Sequence, residues 1–213
     1  MNEKKGRCII ITGGQKCRLE ERQTGDFILA CDRGYDYAWE EGLLPDLVVG
    51  DFDSCGLRVA DGIPVLKYPV EKDDTDTMIG IRYAVEHGMK EVVIYCGLGG
   101  RLDHTFANLQ AMAFAAEHGL TASLKSNDTM VYMLKGGQAN PGYIRLDERR
   151  GWSVSLFSFS SRCEHITTKG LKYPLTDDML VNDFPLGVSN EWAEEWVEIT
   201  VGEGLLLIIL SKK

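Results

Sequence analysis

The stretch Pro45-Asp46-Leu47-Val48-Val49-Gly50-Asp51-Phe52-Asp53-Ser54 places two carboxylates one residue apart, directly after a short apolar run and a glycine. An apolar run bounded by Pro and Gly reads as a buried strand. In open α/β sheets, chemistry gathers where the chain leaves the carboxyl ends of such strands. Two adjacent acids there repel each other unless a cation lies between them, and hard oxygen donors suit Mg2+. The plainer reading makes Asp51 and Asp53 the opening of a turn, with Ser54 as a cap.

Three further clusters carry polar groups suited to phosphate or metal. Asp32 and Arg33 follow the apolar run Phe27–Cys31, Lys72-Asp73-Asp74-Thr75-Asp76 opens a helical pattern, and Gly97-Leu98-Gly99-Gly100-Arg101-Leu102-Asp103-His104 follows Val92–Cys96. Carboxylates in a first helical turn complement the macrodipole, which is reason enough for Asp73 or Asp74. Three acids within four residues exceed what capping needs, so Asp76 is a candidate metal ligand and Lys72 a candidate charge near phosphate. A glycine-rich loop that opens a helix presents backbone N–H groups to phosphate oxygens. Arg101 adds a planar cation suited to bidentate phosphate contacts. The loop is neither a Walker A nor a dinucleotide fingerprint. Thr12-Gly13-Gly14, after the first strand, is a second place where backbone could approach a nucleotide. His104 either positions phosphate or caps its helix, while His87, His118 and His165 read as structural.

The elements that must position these groups alternate in type. Expected strands are Cys8–Ile11, Phe27–Ala30, Leu47–Val49, Val65–Tyr68, Val92–Tyr95 and Ala122–Leu124, with helices at Tyr35–Glu41, Thr75–His87 and Asp103–His118. Two of the helices end in His-Gly, with Gly88 and Gly119 placed as C-terminal caps. Such alternation with aliphatic strands predicts a parallel sheet covered on both faces. Asp128–Leu134 fits either period. Beyond a Gly-, Gln-, Asn- and Pro-containing stretch the pattern is all-β, at Tyr143–Leu146, Trp152–Phe159, His165–Thr168, Val197–Val201 and Leu205–Leu210. The expected organisation is therefore a Rossmann-like α/β domain over residues 1–135, then a small all-β sandwich or barrel over 136–213.

Bulk properties exclude several classes. At 213 residues, 44% hydrophobic and 26% charged, the chain can bury a substantial core. A net charge of -9 argues against nucleic-acid binding through phosphate contacts, although Mg2+ and local cations can still admit an anionic nucleotide. The six cysteines lack metal-type spacing, which implies a reduced, cytoplasmic protein. The apolar stretch after the charged N-terminus is too short for a signal peptide, and Leu205–Leu210 is of strand rather than membrane length.

Together, Cys31-Asp-Arg-Gly, Pro45-Asp-Leu-Val-Val-Gly-Asp-Phe-Asp-Ser, Lys72-Asp-Asp-Thr-Asp and Gly99-Gly-Arg-Leu-Asp-His resemble the thiamine pyrophosphokinase (thiamine diphosphokinase) family. The resemblance continues through Gly170-Leu-Lys-Tyr-Pro-Leu, Gly187-Val-Ser-Asn-Glu and Gly204-Leu-Leu, so it spans nearly the whole chain. Arg33 stands where many members carry glycine, and Cys31 where alanine is common. The resemblance implies transfer of the pyrophosphoryl group of ATP to the hydroxyl of thiamine by a homodimer with active sites at the subunit interface. It implies that Asp32, Asp51, Asp53 and Asp76 hold Mg2+ and the triphosphate, with Asp51, Asp53, Asp76, Arg101 and Asp103 as the catalytic set. The nucleotide would meet Gly13, Gly14, Asp32, Arg33, Lys72, Thr75, Gly99, Gly100, Arg101, His104 and Asn108. Ser189 and Asn190 would meet the thiamine aminopyrimidine. Trp192 is a candidate aromatic wall for the cationic thiamine rings, or a core residue.

Rival readings keep the acidic pair and change the rest. A haloacid-dehalogenase-type phosphohydrolase needs Thr or Val two positions after its second Asp, where this chain has Cys55. A related Mg-dependent diphosphokinase of a pterin alcohol would retain the metal site and alter the acceptor pocket, against which Gly187-Val-Ser-Asn argues. A non-catalytic thiamine diphosphate sensor would have lost acids that are all present here.

Overall fold

The computed structural model describes residues 6–20, 22–50, 58–67, 74–137 and 139–213. The chain divides into two compact units, Met1–Asn127 and Asp128–Lys213.

The first unit runs β1 (Arg7–Ile11), β2 (Phe27–Cys31), α1 (Gly34–Glu40), β3 (Leu47–Gly50), β4 (Val65–Lys67), α2 (Asp76–Glu86), β5 (Glu91–Tyr95), α3 (Leu102–Glu117) and β6 (Thr121–Lys125). Its strands pair in the order β6-β5-β1-β2-β3-β4, and each pairing is parallel. Every residue of β1 is buried, as a strand covered on both sides requires. Side chains alternate across a strand. Ile9 and Ile11 accordingly share a cluster with Ala38 of α1, while the Ile10 side chain meets Gly80 of α2. The two long helices end as their sequences predict: His87 and His118 bond through Nδ1 to the carbonyls of Tyr83 and Phe114, both at 2.8 Å, and each is followed by a glycine at positive φ.

At the amino ends of β1 and β2 the Arg7 guanidinium grips Asp26, Nε to Oδ1 at 2.9 Å and Nη2 to Oδ2 at 2.8 Å. Both side chains are under 10% exposed, and Asp26 also accepts the Gln23 N–H at 2.8 Å. The hydrogen bond to Asp26 holds the Arg7 pKa above its ordinary value against the opposing effect of burial.

The second unit contains β7 (Thr129–Gly136), β8 (Gly142–Asp147), β9 (Trp152–Ser158), β10 (Arg162–Lys169), β11 (Asp178–Val181), β12 (Gly187–Asn190), β13 (Trp196–Val201) and β14 (Gly204–Lys212). Antiparallel pairings arrange β12-β9-β14-β7 and β11-β10-β13-β8. Val154, Leu156, Leu206, Ile208 and Leu210 of the first group meet Ile166, Val197, Ile199 and Val201 of the second in one core. Strict alternation along β13, with Val197, Ile199 and Val201 buried, is what one wetted face demands.

The break between units precedes β7, whereas composition placed it after Lys135. The reason is long-range: β7 pairs with β14 from Gly136↔Gly204 to Thr129↔Ser211, so it belongs with the strands that follow it. The sequence reading also omitted β11 and β12. Both are four residues long with only half of them exposed and one at most buried, so neither carries the apolar alternation that marks a strand.

Near the C-terminus, Glu191 accepts from Lys213 Nζ at 2.6 Å and Lys172 Nζ at 2.9 Å. Lys213 first, then Lys172, pull its carboxyl down to about 2. A depressed folded-state pKa contributes stability above the ordinary glutamate value, and that contribution fades as pH falls toward the folded value. A 13C NMR titration should therefore place the Glu191 midpoint near 2. Truncation of Lys213 should raise it, and an unchanged midpoint after truncation would refute the pairing.

Candidate active site

The parallel register brings the carboxyl ends of the first unit's strands to one edge. Ile11 pairs with both Ala30 and Tyr95, Cys31 with Val49, Gly50 with Lys67, and Tyr95 with Lys125. Among the described residues, Gly13, Gly14, Asp32, Arg33, Gly99 and Gly100 follow those strand ends.

Two loops there are laced to each other. The Thr12 hydroxyl donates to the Cys96 carbonyl at 2.7 Å, and Gln15 N–H donates to the Leu98 carbonyl at 3.0 Å. A Cβ on Gly14 would stand 2.3 Å from the Cys96 carbonyl oxygen, so this approach needs glycine. Gly99 and Gly100 take φ of +78° and +72°, consecutive left-handed positions that side chains resist. Gln15 lies against Gly99, a role that its position after two glycines did not signal.

Asn108 departs from its expected place. It is buried, and its Nδ2 donates 2.8 Å to the Gly97 carbonyl. Rather than presenting its amide to solvent at the site, it holds the glycine loop from beneath. The apolar residues around it on α3 explain this, since Ala111, Met112 and Ala115 lie on the same buried face.

The N-termini of α2 and α3 differ in a way that bears on phosphate. Thr75 caps α2, its Oγ1 accepting the Met78 N–H at 3.2 Å. Arg101, the Ncap residue of α3, makes no side-chain cap bond, although Asp103 Oδ1 takes the His104 N–H of the first turn. Unsatisfied first-turn N–H groups at a helix N-terminus form an anion site. Arg101 stands there, largely exposed, with Nε and Nη2 bonded to Asp103 at 3.1 and 2.5 Å. This fork holds the Asp103 carboxyl below the ordinary range and raises Arg101. His104 contributes its backbone N–H to Asp103 Oδ1 at 3.0 Å, and its side chain is exposed.

Asp32 occupies left-handed backbone at φ +44°, where aspartate is tolerated better than most side chains. Its N–H donates to the Val49 carbonyl at 3.0 Å. A Cβ on Gly50 would fall 1.8 Å from Asp32 Oδ1, so that carboxylate rests in a cradle only glycine leaves open. Cys31, buried, donates its thiol to the Asp76 carbonyl at 3.6 Å, which ties the end of β2 to the start of α2. Arg33 packs over Gly13, with its Cβ 3.2 Å from where a Cβ on that glycine would lie. Asp32, Arg33, Gly13, Gly14, Thr75 and Asp76 are thus joined around one edge, whereas Asp74 is paired with Arg82 at 2.9 Å.

Asp51, Asp53, Lys72 and Asp73 lie outside the described residues. Among the described residues no three metal-ligating side chains cluster. The acids expected to hold a metal, Asp32 and Asp76 with the pair that follows Gly50 in sequence, are all carboxylates, a donor chemistry that fits Mg2+ rather than a soft ion.

In the second unit Ser189 is exposed at φ +58°, with its N–H donating to Ser155 Oγ at 2.9 Å. Asn190 spends its amide on the Tyr173 peptide: Oδ1 accepts Tyr173 N–H at 3.1 Å and Nδ2 donates to Tyr173 O at 2.7 Å. Trp192 packs against the core of this unit, the second of its two expected roles.

Residues 7–124 match the family model "Thiamin pyrophosphokinase, catalytic domain", and residues 143–206 match "Thiamin pyrophosphokinase, vitamin B1 binding domain". The chain is 27% identical over 188 residues to the thiamine pyrophosphokinase of Bacillus subtilis (strain 168), covering 86% of each. Against the crystal structure of the B. subtilis thiamine pyrophosphokinase the TM-score is 0.86 at 23% identity, over 97% of this chain and 99% of the other, a likeness of fold. Against the thiamin pyrophosphokinase of Geobacillus thermodenitrificans it is 0.80 at 26% identity, over 97% and 98%. With one model matching the strands and glycine loops of the first unit and the other matching the β-rich second, the chain belongs to the thiamin pyrophosphokinase family.

Proposed function

We infer that this chain runs its reaction from the carboxyl edge of the parallel sheet. The activity follows from the family: ATP:thiamine diphosphotransfer, giving thiamine diphosphate and AMP. Neither the pterin diphosphokinase nor the phosphohydrolase is favoured, because both lobes match thiamin pyrophosphokinase models. The observation that carries the assignment of the site is the convergence of two laced loops, the Asp32–Gly50 cradle and the α3 N-terminus at one edge.

In the proposed mechanism the first unit, Rossmann-like with helices on both faces, binds ATP. Gly99 and Gly100 leave backbone free to approach phosphate, with Gly13, Gly14 and Arg33 beside the same edge. Lys72 and His104 add polar groups near the phosphates. Thiamine's hydroxyl oxygen attacks the β-phosphorus, and the bond from that phosphorus to the oxygen bridging it to the α-phosphate breaks. Arg101 places its guanidinium against the charge that develops, as phosphoryl-type transfer requires. Asp103, already clamped to Arg101, serves to aim it. Asp32, Asp51, Asp53 and Asp76 would hold Mg2+, which supplies charge neutralisation to the triphosphate when bound.

The second unit would receive thiamine at Ser189 and Asn190. Ser189 is the exposed partner, while Asn190 is bonded to the Tyr173 peptide and Trp192 packs against the core. A homodimer with the site at its interface is supported by the exposed apolar side chains of Phe184, Leu186 and Val188, close in sequence to Ser189. Free thiols at all five described cysteines support a reducing, cytoplasmic setting. Among the described residues no helix is long and apolar enough to cross a membrane.

Nucleotide accounting tests the function. With ATP, Mg2+ and thiamine, AMP should appear in step with thiamine diphosphate; ADP with thiamine monophosphate would refute diphosphotransfer. Gly50→Ala tests the cradle. It forces the Asp32 carboxylate to move, and displacement of that order costs roughly 100-fold in turnover. Retention of more than half the activity would remove Asp32 from the site.

A further inference from the structure

Cys17 and Cys96 are separated by 79 positions, yet their sulfurs lie 3.6 Å apart. The Cys17 N–H donates to Cys96 Sγ at 3.4 Å, so the two side chains meet across a short gap between backbones. Cys17 Sγ also lies 3.5 Å from the Lys125 carbonyl. Cys96 opens the glycine-rich loop and adopts φ +58°, an uncommon conformation for any residue with a side chain. Cys17 follows the Thr12–Gln15 loop. The pair therefore sits at the root of both loops that the proposed chemistry depends on, and that chemistry uses neither thiol.

The two sulfurs differ from the other described cysteines. Cys8 stands alone, and burial pushes its thiol up to about 12, which leaves it inert. Cys163 is engaged with the Leu205 carbonyl at 3.0 Å and Ser158 Oγ at 3.2 Å. Cys17 instead has a hydrogen-bonding thiol neighbour, and that contact lowers Cys17 while, with burial, it raises Cys96.

We propose that Cys17 and Cys96 form a thiol-modification site, closed by small peroxides into an intramolecular disulfide that distorts the glycine loop and blocks nucleotide binding. The Cys17 thiolate attacks one peroxide oxygen, the O–O bond breaks, and water or an alcohol leaves after protonation, with Cys17 left as a sulfenic acid. The Cys96 sulfur then attacks the Cys17 sulfur, an S–S bond forms, and the sulfenic oxygen takes the Cys96 proton and departs as water. Each sulfur gives up one electron to the peroxide, and both thiol protons end in the leaving molecules. An S–S bond of about 2.05 Å requires the sulfurs to approach by roughly 1.5 Å. That pull acts on Cys96, whose carbonyl is held by Thr12 at 2.7 Å and faces Gly14, so the loops cannot both keep their places.

The test is stoichiometric hydrogen peroxide on the full chain, alkylation of remaining thiols with N-ethylmaleimide, and non-reducing peptide mass spectrometry. The Cys17–Cys96 cross-link should predominate over every other cysteine pairing. The thermal stabilisation that ATP confers on the reduced protein should be lost on oxidation and return with dithiothreitol. C17S should abolish both the cross-link and the peroxide sensitivity, and C163S should alter neither. Singly oxidised or alkylated Cys17 and Cys96 without a cross-link would overturn the site. A cross-link that leaves ATP stabilisation intact would overturn its control of binding. The cross-link is read by mass alone and does not depend on the assigned activity.

Discussion

Asp53→Asn, and equally Asp51→Asn, should lower turnover on the order of 1000-fold, about 4 kcal/mol in the barrier. The unfolding midpoint should stay close to that of the parent. The four residues of β3 are buried and end at Gly50. The two carboxylates come next in sequence, after a residue whose missing Cβ makes room for Asp32 Oδ1. Asp76 is tied to the same corner through its carbonyl and the Cys31 thiol. Asp32 and Asp76 stand at one edge of the sheet, and the pair that follows Gly50 in sequence would add two more carboxylates, where a triphosphate would otherwise be repelled. Asparagine keeps the size and loses the charge that recruits a divalent cation. Higher Mg2+ should recover part of the loss in either variant. Activity within threefold of the parent, at any Mg2+ concentration, would sink the metal site.

Asp26→Ala should do the opposite: destabilise the chain while leaving the turnover of folded protein unchanged. Removal of one member of a buried ion pair leaves the other charge uncompensated, at a cost of roughly 3–5 kcal/mol. Arg7, with its side chain 9% exposed, would lose its bidentate partner and keep Glu91 only at 3.9 Å, and the Gln23 N–H would lose its acceptor as well. The pair joins the amino ends of β1 and β2, whereas the candidate site gathers at their carboxyl ends. Urea denaturation followed by circular dichroism gives the stability, and steady-state kinetics at low temperature gives the turnover. Asp26→Asn should fall between the parent and alanine, since its amide oxygen can still accept one hydrogen bond. A stability change under 1 kcal/mol for the alanine variant would refute this account.

Much of the catalytic lobe was legible because its signals are local. Aliphatic runs of four or five residues ending in Gly or Asp mark strands that deliver chemistry, and the observed β1, β2, β3 and β5 differ from expectation only at their ends. The His-Gly pairs at residues 87–88 and 118–119 close helices as read, because a carbonyl-capping imidazole and a left-handed glycine act within one turn. Motif order alone brought out the family, since its polar groups sit at fixed distances from strand ends.

What local patterns do not carry is which side of an element a polar residue faces, and what lies across the fold from it. Asn108 has the composition of a ligand-binding residue, but the buried face of α3 turns it under the glycine loop. Asn190 looks like a free amide in sequence, and the fold spends it on the Tyr173 peptide. The extent of the second unit depended on β7 meeting β14, a pairing made by residues far apart in the chain. Cys17 and Cys96 show the same division most sharply. Sequence spacing gave no reason to join them, and only the parallel pairing of β1 with β5 carries their two loops to one edge, where the sulfurs touch. Residue types and strand-end motifs determined the chemistry this chain can perform. Long-range strand pairing decided which of those residues face the reaction and which hold the others in place, because burial is settled by distant neighbours.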